Sequence, residues 1–143
     1  MWSRDGNRLL FTSKVYPDCP DEECNQKRLE EAAKNPVKAQ VINALLFRHW
    51  DEYRAERYTH LFVVSAHGSK PHDLTPGAFD SPTFFLGAPD GYSISPDGSE
   101  VCYTSNRTGQ SAWTTNNDLY VASALGGESK NITQNSPGSD AAP

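Results

Sequence analysis

Arg48-His49-Trp50-Asp51 is the densest gathering of chemically capable side chains in this sequence. An arginine, an aromatic and an acid at the end of a helix could line a peptide-binding cavity, which makes Arg48, His49 and Trp50 the candidate substrate-binding residues. The alternative is structural: a helix end packed on a sheet, with Trp50 as the anchor and Arg48 and Asp51 in solvent. No other cluster offers a reaction centre. The nearest approach to a G-x-S-x-G nucleophile elbow, Gly91-Tyr92-Ser93-Ile94-Ser95, fails at its fifth position and precedes a turn, so no catalytic residue is assigned.

Metal chemistry is equally unsupported. The histidines at 49, 60, 67 and 72 show no His-Glu-x-x-His or other ligand spacing, and the three cysteines lack paired CxxC spacing, so neither a metal nor a cofactor is expected. Asp5 and Asp97 each precede a glycine and read as turn residues rather than acids or ligands. Cys19 and Cys24 are near enough in sequence for a small-loop disulfide in an exported chain; two free thiols in a reducing compartment are the other reading. Cys102 falls in an expected strand and should pack as a small hydrophobe. Asn106-Arg107-Thr108 and Asn131-Ile132-Thr133 are formal glycosylation sequons.

The elements that must position these groups repeat. Ser3-Arg4-Asp5-Gly6-Asn7-Arg8-Leu9-Leu10-Phe11-Thr12-Ser13 aligns without a gap to Ser95-Pro96-Asp97-Gly98-Ser99-Glu100-Val101-Cys102-Tyr103-Thr104-Ser105. The stretch from His60 to Thr75 lies likewise over Asp118 to Thr133. Each unit reads as an antiparallel meander: an Asp-Gly turn into a buried strand, a polar loop, a second apolar strand, then a Gly turn to an outer strand. In the second unit the strands are Tyr92 to Ile94, Glu100 to Thr104, Asp118 to Ser123 and Glu128 to Thr133, four strands in roughly 45 residues, the span of a propeller blade.

The first unit is interrupted by a polar segment that predicts two helices. Pro20 followed by Asp21-Glu22-Glu23 opens the first, with Lys27, Arg28 and Lys34 toward its end. Asn35-Pro36 stops it and starts a second, along which Val37, Val41, Ile42, Leu45, Leu46, Trp50 and Tyr53 recur at near-helical spacing. The expected organisation is a first unit over 1–75, its first strand missing, with a helical insertion at about 18–57; a second unit over 76–133; and a linker or the start of a further unit over 134–143.

Composition narrows the classes of function. The 143 residues are 36% hydrophobic and 22% charged, enough to bury a core, and no stretch approaches the ~18 apolar residues of a spanning helix, so no membrane partner is expected. The thirteen Lys and Arg are scattered in a chain of net charge −5, which argues against nucleic acid. The opening residues have no signal-peptide pattern, and localisation is not legible.

Ser95-Pro96-Asp97-Gly98, the strand ending Thr104-Ser105-Asn106-Arg107, Asn117-Asp118-Leu119-Tyr120-Val121, Gly126-Gly127 and Ile132-Thr133 together resemble the blade motif of TolB-type, WD-like β-propellers. Phe11 to Cys19, Phe47 to Asp51, His60 to Val63, Asp73-Leu74-Thr75-Pro76-Gly77 and Thr115 to Asp118 are similar to the propeller of dipeptidyl-peptidase-type members of the prolyl oligopeptidase family of serine peptidases. The likeness covers almost the whole chain. It implies a mainly β fold of about two four-stranded blades, the first carrying the two-helix insertion, and a non-catalytic role: gating peptide access to a separate α/β-hydrolase domain outside these residues. It also suggests a periplasmic or secreted setting. Glu22-Glu23 and Glu30-Glu31 invite comparison with the acidic residues that hold a substrate's amino group in some dipeptidyl peptidases, but read as a solvated helix face. A closed propeller needs at least ~4 blades, so further blades are implied. The rival readings are a TolB-like interaction scaffold and a truncated piece with no role of its own. Unpaired outer strands would favour self-association through the sheet edges.

Overall fold

The computed structural model describes residues 1–43, 45–49, 51–54, 56–83 and 91–143. Ten elements follow one another: β1 (Arg8–Val15), α1 (Glu22–Lys34), β2 (Arg48–His49), β3 (Glu52–Tyr53), β4 (Tyr58–Ser65), β5 (His72–Asp73), β6 (Tyr92–Ile94), β7 (Glu100–Ser105), β8 (Asp118–Ser123) and β9 (Lys130–Asn131). They form two antiparallel sheets, β1-β4-β5 and β6-β7-β8-β9, and a small hairpin, β2-β3. The fold is mainly β with one helix among the described residues.

The repeat is visible bond by bond. Ser3 N donates to Arg8 O at 2.9 Å, and Ser95 N donates to Glu100 O at 2.9 Å. In each turn the serine hydroxyl donates to the following aspartate at 2.6 Å and accepts from the backbone that begins the strand. Gly6 and Gly98 supply the positive φ, 72° and 73°, that lets the chain reverse. The strands keep one register: Arg8 stands opposite Ser65 as Glu100 stands opposite Ser123. At the far side Leu61 N donates to Thr75 Oγ1 and Leu119 N to Thr133 Oγ1, both at 2.9 Å. Only the first strand differs, since a lone bridge from Trp2 to Leu9 stands where β6 lies in the second sheet.

The turn hydrogen bonds make a pH prediction. The Ser3 hydroxyl, joined by Asn7 N–H and amide, holds the Asp5 carboxyl at about 2, and the Ser95 hydroxyl with Ser99 does the same for Asp97. Both carboxylates titrate lower folded than unfolded, so their contribution is fully present above the unfolded value of ~3.9 and is lost as pH falls through about 2. Urea midpoints measured from neutral to acid pH should therefore fall less for the Asp5→Asn, Asp97→Asn double variant than for the native chain between about 4 and about 2. Equal slopes in that window would contradict the assignment.

One core joins the sheets. Leu10, Leu61, Val63 and Leu74 from the first pack in a single cluster with Val101, Tyr103, Tyr120, Ala122 and Ala124 from the second. Residues 77–83 stitch the seam: Ser81 N donates to Thr59 O at 2.7 Å and Thr83 N to Thr104 O at 3.1 Å, while Ser105 Oγ donates to Asp80 O at 3.0 Å.

The insertion departs from expectation. α1 forms as read: Asp21 caps it by accepting from Cys24 N, Glu22 and Glu23 occupy the first turn, and Lys34 the last. Buried Asn25 accepts from Tyr16 N at 2.8 Å and so ties the helix to the end of β1. Cys19 and Cys24 are joined by a disulfide across the helix start, their Cα atoms 5.5 Å apart. The expected second helix does not form among the described residues, so the insertion shows one helix there rather than two. Asn35 adopts extended backbone before Pro36 and its side chain accepts from Val37 N, a local turn that does not propagate. The apolar residues beyond it meet no packing surface: Val41 is 87% and Val37 65% exposed. A short helix without a buried face is marginal in water, so helical spacing alone could not form it.

Candidate functional site

A cleft of about 1060 Å³ opens between the insertion and one end of the two sheets. Its chemistry comes from arginines laid on aromatic rings. Arg28, at the middle of α1, lies 4.0 Å over the Tyr16 ring and pairs with Asp18 and with Glu56. Arg54, just after β3, lies 4.8 Å over Tyr58 and donates to Asp80 Oδ2 at 2.8 Å. Asp80 accepts through its other oxygen from Thr59 N, so one carboxylate fixes both the arginine and the segment joining the sheets.

Arg107 is the least neutralised of the three. It leaves β7, stacks 4.2 Å from Phe79 and 4.1 Å from Tyr120, and donates to Tyr103 Oη at 2.8 Å and Ser129 Oγ at 3.0 Å. Among the described residues no carboxylate pairs with it, and its Nε has no partner. Its charge acts on its neighbours: burial pushes the Tyr120 phenol up, and the guanidinium opposes that shift. A cation backed by rings and held by hydroxyls can accept a carboxylate or carbonyl oxygen, so the cleft is suited to recognition.

A reaction centre is not formed by the described residues. His60 is the one buried histidine among the described side chains, and its ring bridges Asp73 Oδ2 at 2.7 Å and Gly77 O at 2.8 Å. Both ring nitrogens are thus engaged and neither faces a hydroxyl nucleophile, so the His60–Asp73 pair is structural. Among the described residues no group of three or more His, Cys, Asp or Glu could hold a metal ion. No described helix is long and apolar enough to cross a membrane.

Of the residues singled out in the sequence, Glu31 and Asn106 line the cleft. Arg48 sits on the β2-β3 hairpin, paired in register with Tyr53, and not at a helix end; it is exposed and is not part of the described cleft lining. Trp50 lies outside the described residues, as does the side chain of His49. Phe47 and Arg54 from the same hairpin region do reach the cleft. Glu22, Glu23, Glu30 and Glu31 are exposed on α1. Asn106 and Asn131, the sequon asparagines, spend their amides internally, Asn106 on Thr114 O at 3.1 Å and Asn131 on Asp118 Oδ2 at 2.7 Å. Cys102 is half-buried, and burial pushes its thiol up.

Sequence reasoning missed Arg54, Asp80 and Arg107. The available signal was the repeat itself, which places Tyr103 and Tyr120 in one cross-strand pair with an arginine four residues after the first.

No protein-family model matches the chain. It is 28% identical over 150 aligned positions to dipeptidyl-peptidase 5 of Porphyromonas endodontalis, an alignment that takes in all of this chain and 20% of that protein. Against dipeptidyl-peptidase 5 of Porphyromonas gingivalis it is 26% identical over 151 positions, again the whole chain and 21% of the relative. The chain spans about a fifth of the length of these curated relatives.

Proposed function

We propose that the chain is a non-catalytic β-propeller portion of a serine exopeptidase of the dipeptidyl- or acylaminoacyl-peptidase type, two consecutive blades that limit peptide access to a hydrolase domain outside these residues. The reading rests on the alignment of the whole chain to one fifth of two dipeptidyl peptidases. The two sheets, alike in turn, register and outer-strand bonding, are what consecutive blades require. In the complete enzyme the reaction would be acyl transfer from a peptide bond to a serine, then hydrolysis, with the oxyanion held by backbone amides. This chain would contribute the wall of the entry path, where the ring-backed arginines of the cleft suit the carbonyl and carboxylate oxygens of a short peptide.

Purified chain should release no chromophore from dipeptidyl p-nitroanilides above a control treated with a serine-directed inhibitor. Release that the inhibitor abolishes would overturn the non-catalytic assignment. Reading the coding frame past Pro143 tests the rest: further Asp-Gly strand units followed by G-x-S-x-G, then Asp and His, are expected. Further units and a stop without that elbow would favour the interaction scaffold.

A further inference from the structure

One wall of the cleft hangs on few contacts. α1 and its C-cap supply Arg28, Glu31, Ala32 and Asn35 to the lining, and Val41 and Ile42 follow from the segment beyond. Yet Asn25 is the one buried residue of α1, and its apolar side chains Leu29, Ala32 and Ala33 are exposed. A helix of 13 residues with no buried apolar face is marginal in water. Something other than packing must hold it.

Among the described residues the ties of α1 to the rest of the chain converge on the turn that ends β1. Tyr16 N donates to Asn25 Oδ1 at 2.8 Å, and Cys19 N closes the turn on Tyr16 O at 3.0 Å. Arg28 lies over Tyr16 and pairs with Asp18 and Glu56, but those carboxylate side chains are 73% and 84% exposed, so the ion pairs are weak. Beyond the helix, residues 35–43 are all exposed, and Lys38 Nζ donates back to Ala33 O at 3.0 Å, onto the helix itself. The core that joins the two sheets contains no residue of the insertion.

The covalent tie stands where it has most effect. The Cys19–Cys24 disulfide runs from the end of the turn to the third residue of α1 and encloses Asp21, the N-cap, whose carboxylate accepts from Cys24 N at 3.0 Å. Forming a first turn is the unfavourable step of helix formation, and a bond that confines residues 19–24 supplies much of that constraint. Both cysteines are half-buried rather than sealed in the core.

We propose that the Cys19–Cys24 bond is a redox latch on the cleft: a small dithiol that reduces it releases α1, and with it one wall of the cleft, while both sheets stay folded. The step balances as an exchange. A thiolate of the reductant attacks one cysteine sulfur and forms a mixed disulfide, and its second thiol then displaces the protein. Two electrons and two protons pass to Cys19 and Cys24, which end as thiols, and the reductant leaves as a cyclic disulfide. The latch does not depend on the peptidase reading.

Thiol titration of denatured samples comes first. Chain refolded in a glutathione redox pair should show one thiol, Cys102, and after dithiothreitol all three cysteines should react; three thiols at the outset overturn the proposal. Hydrogen exchange read by mass spectrometry then follows the native chain. On reduction the amides of α1 should exchange up to about thirtyfold faster, the loop-closure entropy of so short a link, while β4 and β8 keep their rates. Phenylglyoxal should modify Arg28 faster in the same sample, and reoxidation should restore both rates. The Cys19→Ser, Cys24→Ser variant should behave as the reduced chain and ignore dithiothreitol. If α1 keeps its exchange rates on reduction, the Asn25 and Arg28 contacts suffice and the proposal falls. It falls equally if β4 and β8 lose protection too, since the bond would then serve the whole fold. An Arg28 modification rate that reduction leaves unchanged, or rates that stay high after reoxidation, would also overturn it.

Discussion

Leu61→Ala is expected to cost about 3–4 kcal/mol of folding stability, while Leu119→Ala, at the same register position of the second sheet, costs about 1 kcal/mol. The residues have identical local roles: each follows the buried polar residue of its strand, and each backbone N–H donates to a threonine hydroxyl at 2.9 Å. Their surroundings differ. Leu61 has no exposed surface and sits in the seam beside Leu10, Val63 and the second sheet's aromatic pair, so truncation leaves a cavity that two sheets would have to close by moving together. Leu119 is half-buried on a free face, and solvent fills the space it leaves. With a urea slope near 1.5 kcal/mol/M, typical of a small domain, the midpoint should fall by about 2 M for Leu61→Ala and by under about 1 M for Leu119→Ala. If Leu119→Ala were as costly as Leu61→Ala, the two sheets would not be packed as described.

The same contrast explains what was legible in the residues alone. Turns such as Ser3 to Arg8 and Ser95 to Glu100 are written in short-range chemistry, a serine, an aspartate and a glycine satisfying one another within six positions, so alignment of the repeat also delivered the strand order. Burial is decided by neighbours far along the chain, and Leu61 and Leu119 cannot be told apart by their local sequence. The cleft is non-local too: Arg54 meets Asp80 across 26 positions and Arg107 meets Ser129 across 22. The second helix failed for the converse reason. Val37, Val41, Ile42, Leu45 and Leu46 carry a helical period, but a period forms a helix only where a surface receives its apolar face, and these side chains are all exposed. Arg48 was singled out for its neighbours in sequence and stands instead on a hairpin, exposed beside the cleft's rim residues Phe47 and Arg54.

His60→Ala should destabilise the chain by about 3 kcal/mol, and the repeat supplies a designed rescue. The His60 ring is buried, donates to Asp73 Oδ2 and faces Gly77 O; Asp73 Oδ1 accepts from Thr75 N, and Thr75 Oγ1 in turn accepts from Leu61 N. The second sheet builds the same chain of bonds with donor and acceptor exchanged: Asn131 donates to Asp118 and accepts from Thr133 N, while Thr133 accepts from Leu119 N. His60→Asp alone sets a second carboxylate against Asp73 with no donor between them, and removes the partner of Gly77 O, so it should be at least as damaging as the alanine. Adding Asp73→Asn converts the pair to the one that the second sheet already uses. The double variant should regain at least about 1 kcal/mol over His60→Asp, whereas Asp73→Asn by itself should be mildly destabilising because the ring can still bond the amide. Four urea unfolding curves close the cycle. A double variant no more stable than His60→Asp would mean that the two outer-strand networks are not interchangeable, and that the equivalence of the sheets stops at the backbone.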